Sequence, residues 1–160
     1  MMIRPAIEAD APAIAAIWNE SIRDSVITFT DVEKTAADLR QLMADGQVFL
    51  IAEHGGTVVG FATYGSFRKG SGYRHTAELS IYLMQHMQGQ GVGKDLMDAL
   101  QDRARRQDIH VLVAGVSAAN RPAIDFHLAM GFSEVARMPE VGRKGGRWLD
   151  LVLLQKLLNT

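Results

Sequence analysis

Gln88-Gly89-Gln90-Gly91-Val92-Gly93-Lys94 sets three glycines at the point where one kind of periodicity changes into another. Before it runs Leu79-Ser80-Ile81-Tyr82-Leu83-Met84, a strand-like stretch. After it Val92, Leu96 and Leu100 recur at helical spacing, with Ala99 and Ala104 beside them. A strand that feeds a helix through glycines brings free N–H groups and the positive end of a helix dipole to one point. Glycine lets backbone approach there where a side chain would block it. The product is an anion cradle, most naturally for a phosphate or pyrophosphate.

The spacing narrows the choice. A P-loop needs G-x-x-x-x-G-K-[ST], but Gln88 stands five before Gly93 and Asp95 follows Lys94. The dinucleotide fingerprint needs G-x-G-x-x-G, and here the glycines run G-x-G-x-G. The stretch does fit Q/R-x-x-G-x-G/A, with Gln88, Gly91 and Gly93 in the fixed places. On the loop alone, a simple change of chain direction is the other reading.

The chain of 160 residues suggests one domain, 1–160, with a core of its own. A net charge of -1 does not favour a nucleic-acid or anionic-membrane surface. With no cysteine, disulfides, thiolate metal sites and cysteine nucleophiles are excluded. No stretch reaches the ~18 apolar residues of a membrane span, and Met1-Met2-Ile3-Arg4-Pro5 has no signal-peptide core. The expectation is a cytoplasmic protein. His54, His75, His86 and His110 share no metal-ligand spacing, so no metal site is expected.

Taken in order, the chain predicts a strand at Ile3–Ala6 and a helix capped by Asp10 with Pro12 in its first turn. A helix from about Glu33 to Ala44 follows, then a hairpin of Val48–Glu53 and Val58–Tyr64. A loop at Gly65–Gly72 carries Arg68 and Lys69. The strand Thr76–Met84 directs Ala77, Leu79, Ile81 and Leu83 to one face and Arg74, Thr76, Glu78, Ser80 and Tyr82 to the other. After the glycine loop and a helix to about Arg106, Val111–Val116 reads as a central strand buried on both faces. A helix at Arg121–Met130 ends at Gly131. A short strand Phe132–Arg137, a basic loop Gly142–Gly146 and a long strand Trp148–Leu158 complete the chain. The order β-α-α-β-β-β-α-β-α-β-β argues for a mixed α/β sheet.

With these motifs in hand, the chain resembles the GCN5-related N-acetyltransferases (the GNAT superfamily). The glycine stretch is similar to their pyrophosphate loop. Asn120-Arg121-Pro122-Ala123-Ile124, then His127 and Gly131-Phe132, is similar to their second motif, with histidine where tyrosine is usual. The resemblance implies an α/β acyltransferase fold, with a mixed sheet of about seven strands flanked by about four helices. Three stretches narrow it further: Tyr73-Arg74-His75-Thr76-Ala77-Glu78, His127, and Met138-Pro139-Glu140-Val141-Gly142 continuing through Gly146-Arg147-Trp148-Leu149-Asp150. They resemble the phosphinothricin and methionine sulfone/sulfoximine N-acetyltransferases. That implies transfer from acetyl-CoA to the α-amino group of a small amino acid or analogue, with no metal. The rivals are another amine (a peptide N-terminus, a polyamine or an aminoglycoside) and a CoA-binding module without turnover. A homodimer is implied by the same likeness. In such relatives a second basic residue stands two after the first in the loop before the tyrosine; here that place is Gly70.

The resemblance also assigns roles. Glu78 is the candidate base that deprotonates the amine; an ion pair with Arg74 is the alternative. His127 is the candidate to protonate the leaving thiolate or assist deprotonation; a satisfied core histidine is the alternative. Gln88, Gly89, Gly91, Val92, Gly93 and Lys94 should hold the pyrophosphate. Leu83 and Met84 should give main-chain contacts to the pantetheine arm and carbonyl. Asn120 should contact the arm, or serve only as a helix cap. For the amino acid the candidates are Phe29, Arg68, Tyr73 and Arg74: guanidinium groups match a carboxylate bidentately, and an aromatic wall suits an apolar side chain.

Overall fold

A computed structural model describes residues 1–159. Its seven strands are β1 (Met2–Pro5), β2 (Val48–His54), β3 (Thr57–Ser66), β4 (Thr76–Leu83), β5 (Val111–Ser117), β6 (Ser133–Lys144) and β7 (Arg147–Leu157). They form one sheet in the order β1-β2-β3-β4-β5-β7-β6. Every neighbouring pair is antiparallel except β4 and β5. The helices are α1 (Ala11–Asp24), α2 (Ala36–Ala44), α3 (Val92–Arg106) and α4 (Arg121–Ala129).

The layers follow from side-chain alternation. Phe49, Ile51, Val58 and Phe61 point to the face covered by α1 and α2, where they bury Ile14, Ile17 and Leu39. Leu50, Ala62, Leu79, Leu112 and Leu154 point to the other face and bury Leu96, Met97 and Leu100 of α3 with Ile124 of α4. On the first face α1 reaches as far as β4, where Trp18 packs on Tyr82 with ring centroids 5.8 Å apart, and the connection 25–35 between α1 and α2 carries Ile27 on toward Gly115 of β5.

Several boundaries differ from the sequence expectation, each for a local reason. β1 lies one residue earlier. Asp10 makes no side-chain cap to α1; Arg4 takes its carboxylate at 2.8 and 3.1 Å, and the Ile7 N–H donates to it at 2.8 Å. α2 starts at Ala36, not Glu33. Lys34 is held extended by Asn19, which accepts its N–H at 2.7 Å and donates to its carbonyl at 2.8 Å. Thr35 and Asp38 then close a reciprocal capping box.

β6 is the largest difference: it runs on to Lys144 rather than stopping at Arg137. The expected basic loop shrinks to a turn at Gly145 and Gly146, both with positive φ. The register jumps from Met138↔Leu151 to Gly142↔Leu149, so Pro139, Glu140 and Val141 bulge out opposite Asp150. Glu140 has φ 58°, and its N–H donates to the Asp150 carboxylate at 2.8 Å.

Candidate active site

β4 and β5 pair only over Thr76–Leu79 and Val111–Ala114. β4 runs on to Leu83 and β5 to Ser117, so the strands part above that point. The cleft between them, about 60 Å³, is lined by Ser80, Ile81 and Tyr82 from β4 and by Gly115 and Val116 from β5. Asn120, Ala123 and His127 of α4 also line it, as does Ile27 from the connection 25–35. Pairing parity decides which backbone groups face the gap. The Met84 N–H donates to Val59 O at 2.8 Å, so alternate groups from Met84 downward are spent on β3. The N–H and C=O of Ile81 and Leu83 therefore point toward the departed β5. Met84, expected to offer main-chain contacts, has both groups engaged, since its carbonyl accepts from Met87 N at 2.9 Å. Ile81 is the residue that the sequence reading missed. The signal was the parity itself, invisible until the β3 register is known.

The glycine stretch opens at the top of this gap. Gly89 and Gly91 have φ 77° and 82°, a left-handed conformation that a side chain resists. Gly91 is the N-cap of α3, and the first bond into the helix runs from Asp95 N to Gly91 O at 3.1 Å. The N–H groups of Val92, Gly93 and Lys94 are thus free for an anion. Gly93 is needed for proximity: a Cβ there would lie 3.2 Å from the Phe126 ring of α4. The Lys94 ammonium is drawn along the helix to Asp98 at 2.6 Å. Gln88 is exposed at the loop rim. Asn120 caps α4, its side-chain oxygen accepting from Ala123 N at 3.3 Å, and its amide NH₂ has no partner among the described residues. Cap and cleft contact are thus compatible.

His127 is 3% exposed and sits edge-on between Phe126 and Phe132, with both ring centroids at 5.3 Å. Its Nδ1 is 2.7 Å from the Ala123 carbonyl, which only accepts, so Nδ1 carries the proton. Nε2 is then a bare acceptor, and it is buried without a partner among the described residues. Burial also pushes the imidazole pKa down, holding it neutral near pH 7. A neutral ring with this tautomer has no proton on Nε2 to give a leaving thiolate. It can accept an N–H or take up a proton.

Glu78 lies on the same face of β4 as Tyr82, with its carboxylate toward β5: a Cβ on Gly115 would meet its Oε2 at 3.4 Å. β5 is buried on both faces as its apolar run suggests, Val113 and Ser117 included, except at Gly115, which is exposed. No ion pair among the described residues includes Glu78. Arg74 precedes β4 rather than sharing its alternation, and its Nε donates to His75 Nε2 at 3.1 Å. Although Glu78 reaches solvent, the protein around it excludes enough water to push its carboxyl above the usual range.

The four residues expected to hold the amino acid fall in two places. Phe29 packs on Gly142 of β6. Arg68, Tyr73 and Arg74 line a separate cavity of about 520 Å³ beside the first residues of β4, Thr76 and Ala77. There the Arg68 guanidinium lies 5.6 Å from the Tyr73 ring centroid.

Comparisons with known proteins agree with this fold. Residues 3–153 match the acetyltransferase (GNAT) domain family. The chain is 39% identical to the L-methionine sulfoximine/L-methionine sulfone acetyltransferase of Salmonella typhimurium, over 99% of this chain and 95% of that protein. It is 33% identical to the phosphinothricin N-acetyltransferase of Alcaligenes faecalis, over 98% and 82%. Among solved structures, yncA of Salmonella typhimurium with its cofactor acetyl-CoA superposes with TM-score 0.94 at 36% identity, over 100% of this chain and 95% of that one. A ribosomal-protein-alanine N-acetyltransferase of Brucella melitensis superposes with TM-score 0.93 at 39% identity, over 98% and 99%.

Gly91→Val should cost about 1–3 kcal/mol in denaturant unfolding, the strain of a β-branched residue at positive φ. Gly56→Val, at φ 80° in the β2–β3 turn, should cost about the same. Isothermal titration should separate them: acetyl-CoA affinity falls about tenfold or more in Gly91→Val, a loss of ~1.4 kcal/mol, and is unchanged in Gly56→Val.

Proposed function

The chain belongs to the GNAT acetyltransferase family, and we propose that it moves the acetyl group of acetyl-CoA onto the α-amino group of a small amino acid or analogue, of the methionine sulfone, methionine sulfoximine or phosphinothricin type. The observation that carries this reading is the parted β4–β5 edge, with Glu78 unpaired at its base. The substrate class rests on the likeness to the methionine sulfoximine/sulfone and phosphinothricin enzymes.

The N–H groups at the start of α3 hold the pyrophosphate. The pantetheine arm lies between the strands, where Ile81 and Leu83 offer backbone groups and Asn120 its free amide. An ammonium has no lone pair, so the amine must first lose a proton, and Glu78 takes it, directly or through water. Its raised pKa makes it a stronger base than an ordinary carboxylate. The amine nitrogen then attacks the thioester carbon, its second proton passes to solvent, the C–S bond breaks, and CoA leaves as thiolate. Backbone N–H groups on the parted edge of β4 steady the developing oxyanion. The thiolate takes its proton from solvent, not from His127. His127 Nε2 accepts an N–H of the bound arm or of the amine, which satisfies an otherwise orphaned atom. With no cysteine to carry the acetyl group, transfer is direct in a ternary complex.

The same geometry would serve a peptide N-terminus, and the Brucella melitensis likeness supports that as the second reading. We also propose a cytoplasmic protein that forms a homodimer, the dimer supported by the exposed apolar side chains Val135, Met138, Val141 and Trp148 of β6 and β7. A monomer mass in light scattering would remove the dimer.

Free thiol released from acetyl-CoA should appear fastest with methionine sulfone, methionine sulfoximine or phosphinothricin, ahead of short peptides, spermidine and aminoglycosides. Turnover on a peptide alone would transfer the reading to the second substrate class.

In Glu78→Gln, kcat should fall about 10²–10⁴-fold while acetyl-CoA still binds. The wild-type rate should fall as pH drops through the raised Glu78 pKa, because the protonated acid no longer accepts a proton. That limb should vanish in the variant; a limb retained there would assign it elsewhere.

His127→Phe should cost roughly tenfold in kcat, the worth of one hydrogen bond, with the melting temperature kept. Equal activity would leave His127 a packing residue.

A further inference from the structure

The connection 25–35 has no regular structure, yet it is anchored at both ends and in the middle. Near α1, Ser25 and Thr28 hydroxyls both donate to Ser21 O, at 2.7 and 3.2 Å. Toward α2, Lys34 is bonded on both sides by Asn19. The middle anchor is remote in sequence. Lys144 Nζ donates to Thr28 O at 2.8 Å and to Thr28 Oγ1 at 2.9 Å. Two residues earlier on β6, Gly142 is buried under the Phe29 ring, and a Cβ built on it would lie 2.5 Å from that ring. No positive φ accounts for this glycine; close approach does. The bulge at Pro139–Val141, pinned by Glu140 N–H on Asp150, sets the register that brings Gly142 and Lys144 to the strap.

What the anchor holds in place is Ile27. It lines the cleft together with Ser80, Tyr82 and Gly115. Gly115 is also the residue over which the Glu78 carboxylate lies. The strap therefore covers the side of the cleft from which the amine reaches Glu78, while α3 and α4 hold the cofactor side. We propose that Gly142 and Lys144 are positioning residues that seat the strap 25–32, and with it Ile27, over the amine side of the cleft. This rests on the acetyl-transfer reading. It adds that acceptor binding is set by the C-terminal hairpin through contacts that neither substrate touches. A small displacement of such a wall is enough to misalign the amine.

The test uses Gly142→Ala and Lys144→Met in the full chain. Hydrogen exchange of the peptide spanning 25–32 should speed up in both, with exchange in α3 unchanged. The KM for the amino acid should rise about tenfold while the KM for acetyl-CoA stays within about twofold, the split expected for a positioning contact on one substrate. Lys144→Arg should restore most of the loss. In a Phe29→Ala background, Gly142→Ala should add little, because the ring that it displaces is gone. Unchanged strap exchange, an unchanged amino-acid KM, or a rise in both KM values together would overturn the proposal. If the wild type turns over no amino acid, the amino-acid substrate reading fails, while the exchange measurement still decides whether the hairpin seats the strap.

Discussion

The pairing of β4 with β5 stops after four residue pairs, and the rest of the site depends on that stop. An edge strand in water is a liability because its N–H and C=O groups stay unpaired. Here the unpaired groups are internal, between two strands of one sheet, and a ligand arm can complete them. β3 holds β4 along its whole length and β7 holds β5 to Ser117, so neither strand can close the gap by moving alone. The glycine turn and the start of α3 then follow directly from the free end of β4, and α4 from the free end of β5. Anion cradle, arm slot and cap residue are thus consequences of one topological feature.

Electrostatics separates the two reactive side chains. His127 is buried and Glu78 reaches solvent, but the protein around each excludes enough water to favour its neutral form. For Glu78 that means a stronger base, on the face reached by the amine. For His127 it means an imidazole locked by the Ala123 carbonyl into the tautomer with Nε2 bare. The expectation that it protonates the thiolate does not fit that arrangement, and acceptance of a hydrogen bond does. An ion pair between Glu78 and Arg74 would have held Glu78 ionised and weakened it as a base; Arg74 bonds His75 instead.

Much of this was legible in the sequence because it was written in local signals. The Gly89, Gly91 and Gly93 turn, the helical spacing of α3 and the element order depend on neighbours within one turn or one hairpin. What was not legible depends on pairing across the sheet. The apolar run of β5 suggests burial on both faces, and Val113 and Ser117 are buried, but Gly115 between them is open at the cleft where β4 and β5 part. The start of α2 was misplaced because Asn19, fifteen residues back, holds Lys34 extended. The sequence reads Pro139 and Gly142 as the end of β6, whereas a bulge absorbs Pro139 and Gly142 pairs with Leu149. The backbone contribution of Ile81, rather than Met84, is a matter of parity that no periodicity encodes.

The central claim is that acetyl-CoA completes the parted β4–β5 edge. Backbone amide chemical shifts, followed by NMR as acetyl-CoA is added, test it residue by residue. The account predicts large shifts at Ile81 and Leu83 and at Val92, Gly93 and Lys94, with Met84 moving less because its N–H is bonded to Val59. Shifts confined to the cavity around Arg68, Tyr73 and Arg74, with Ile81 and Leu83 unmoved, would contradict it.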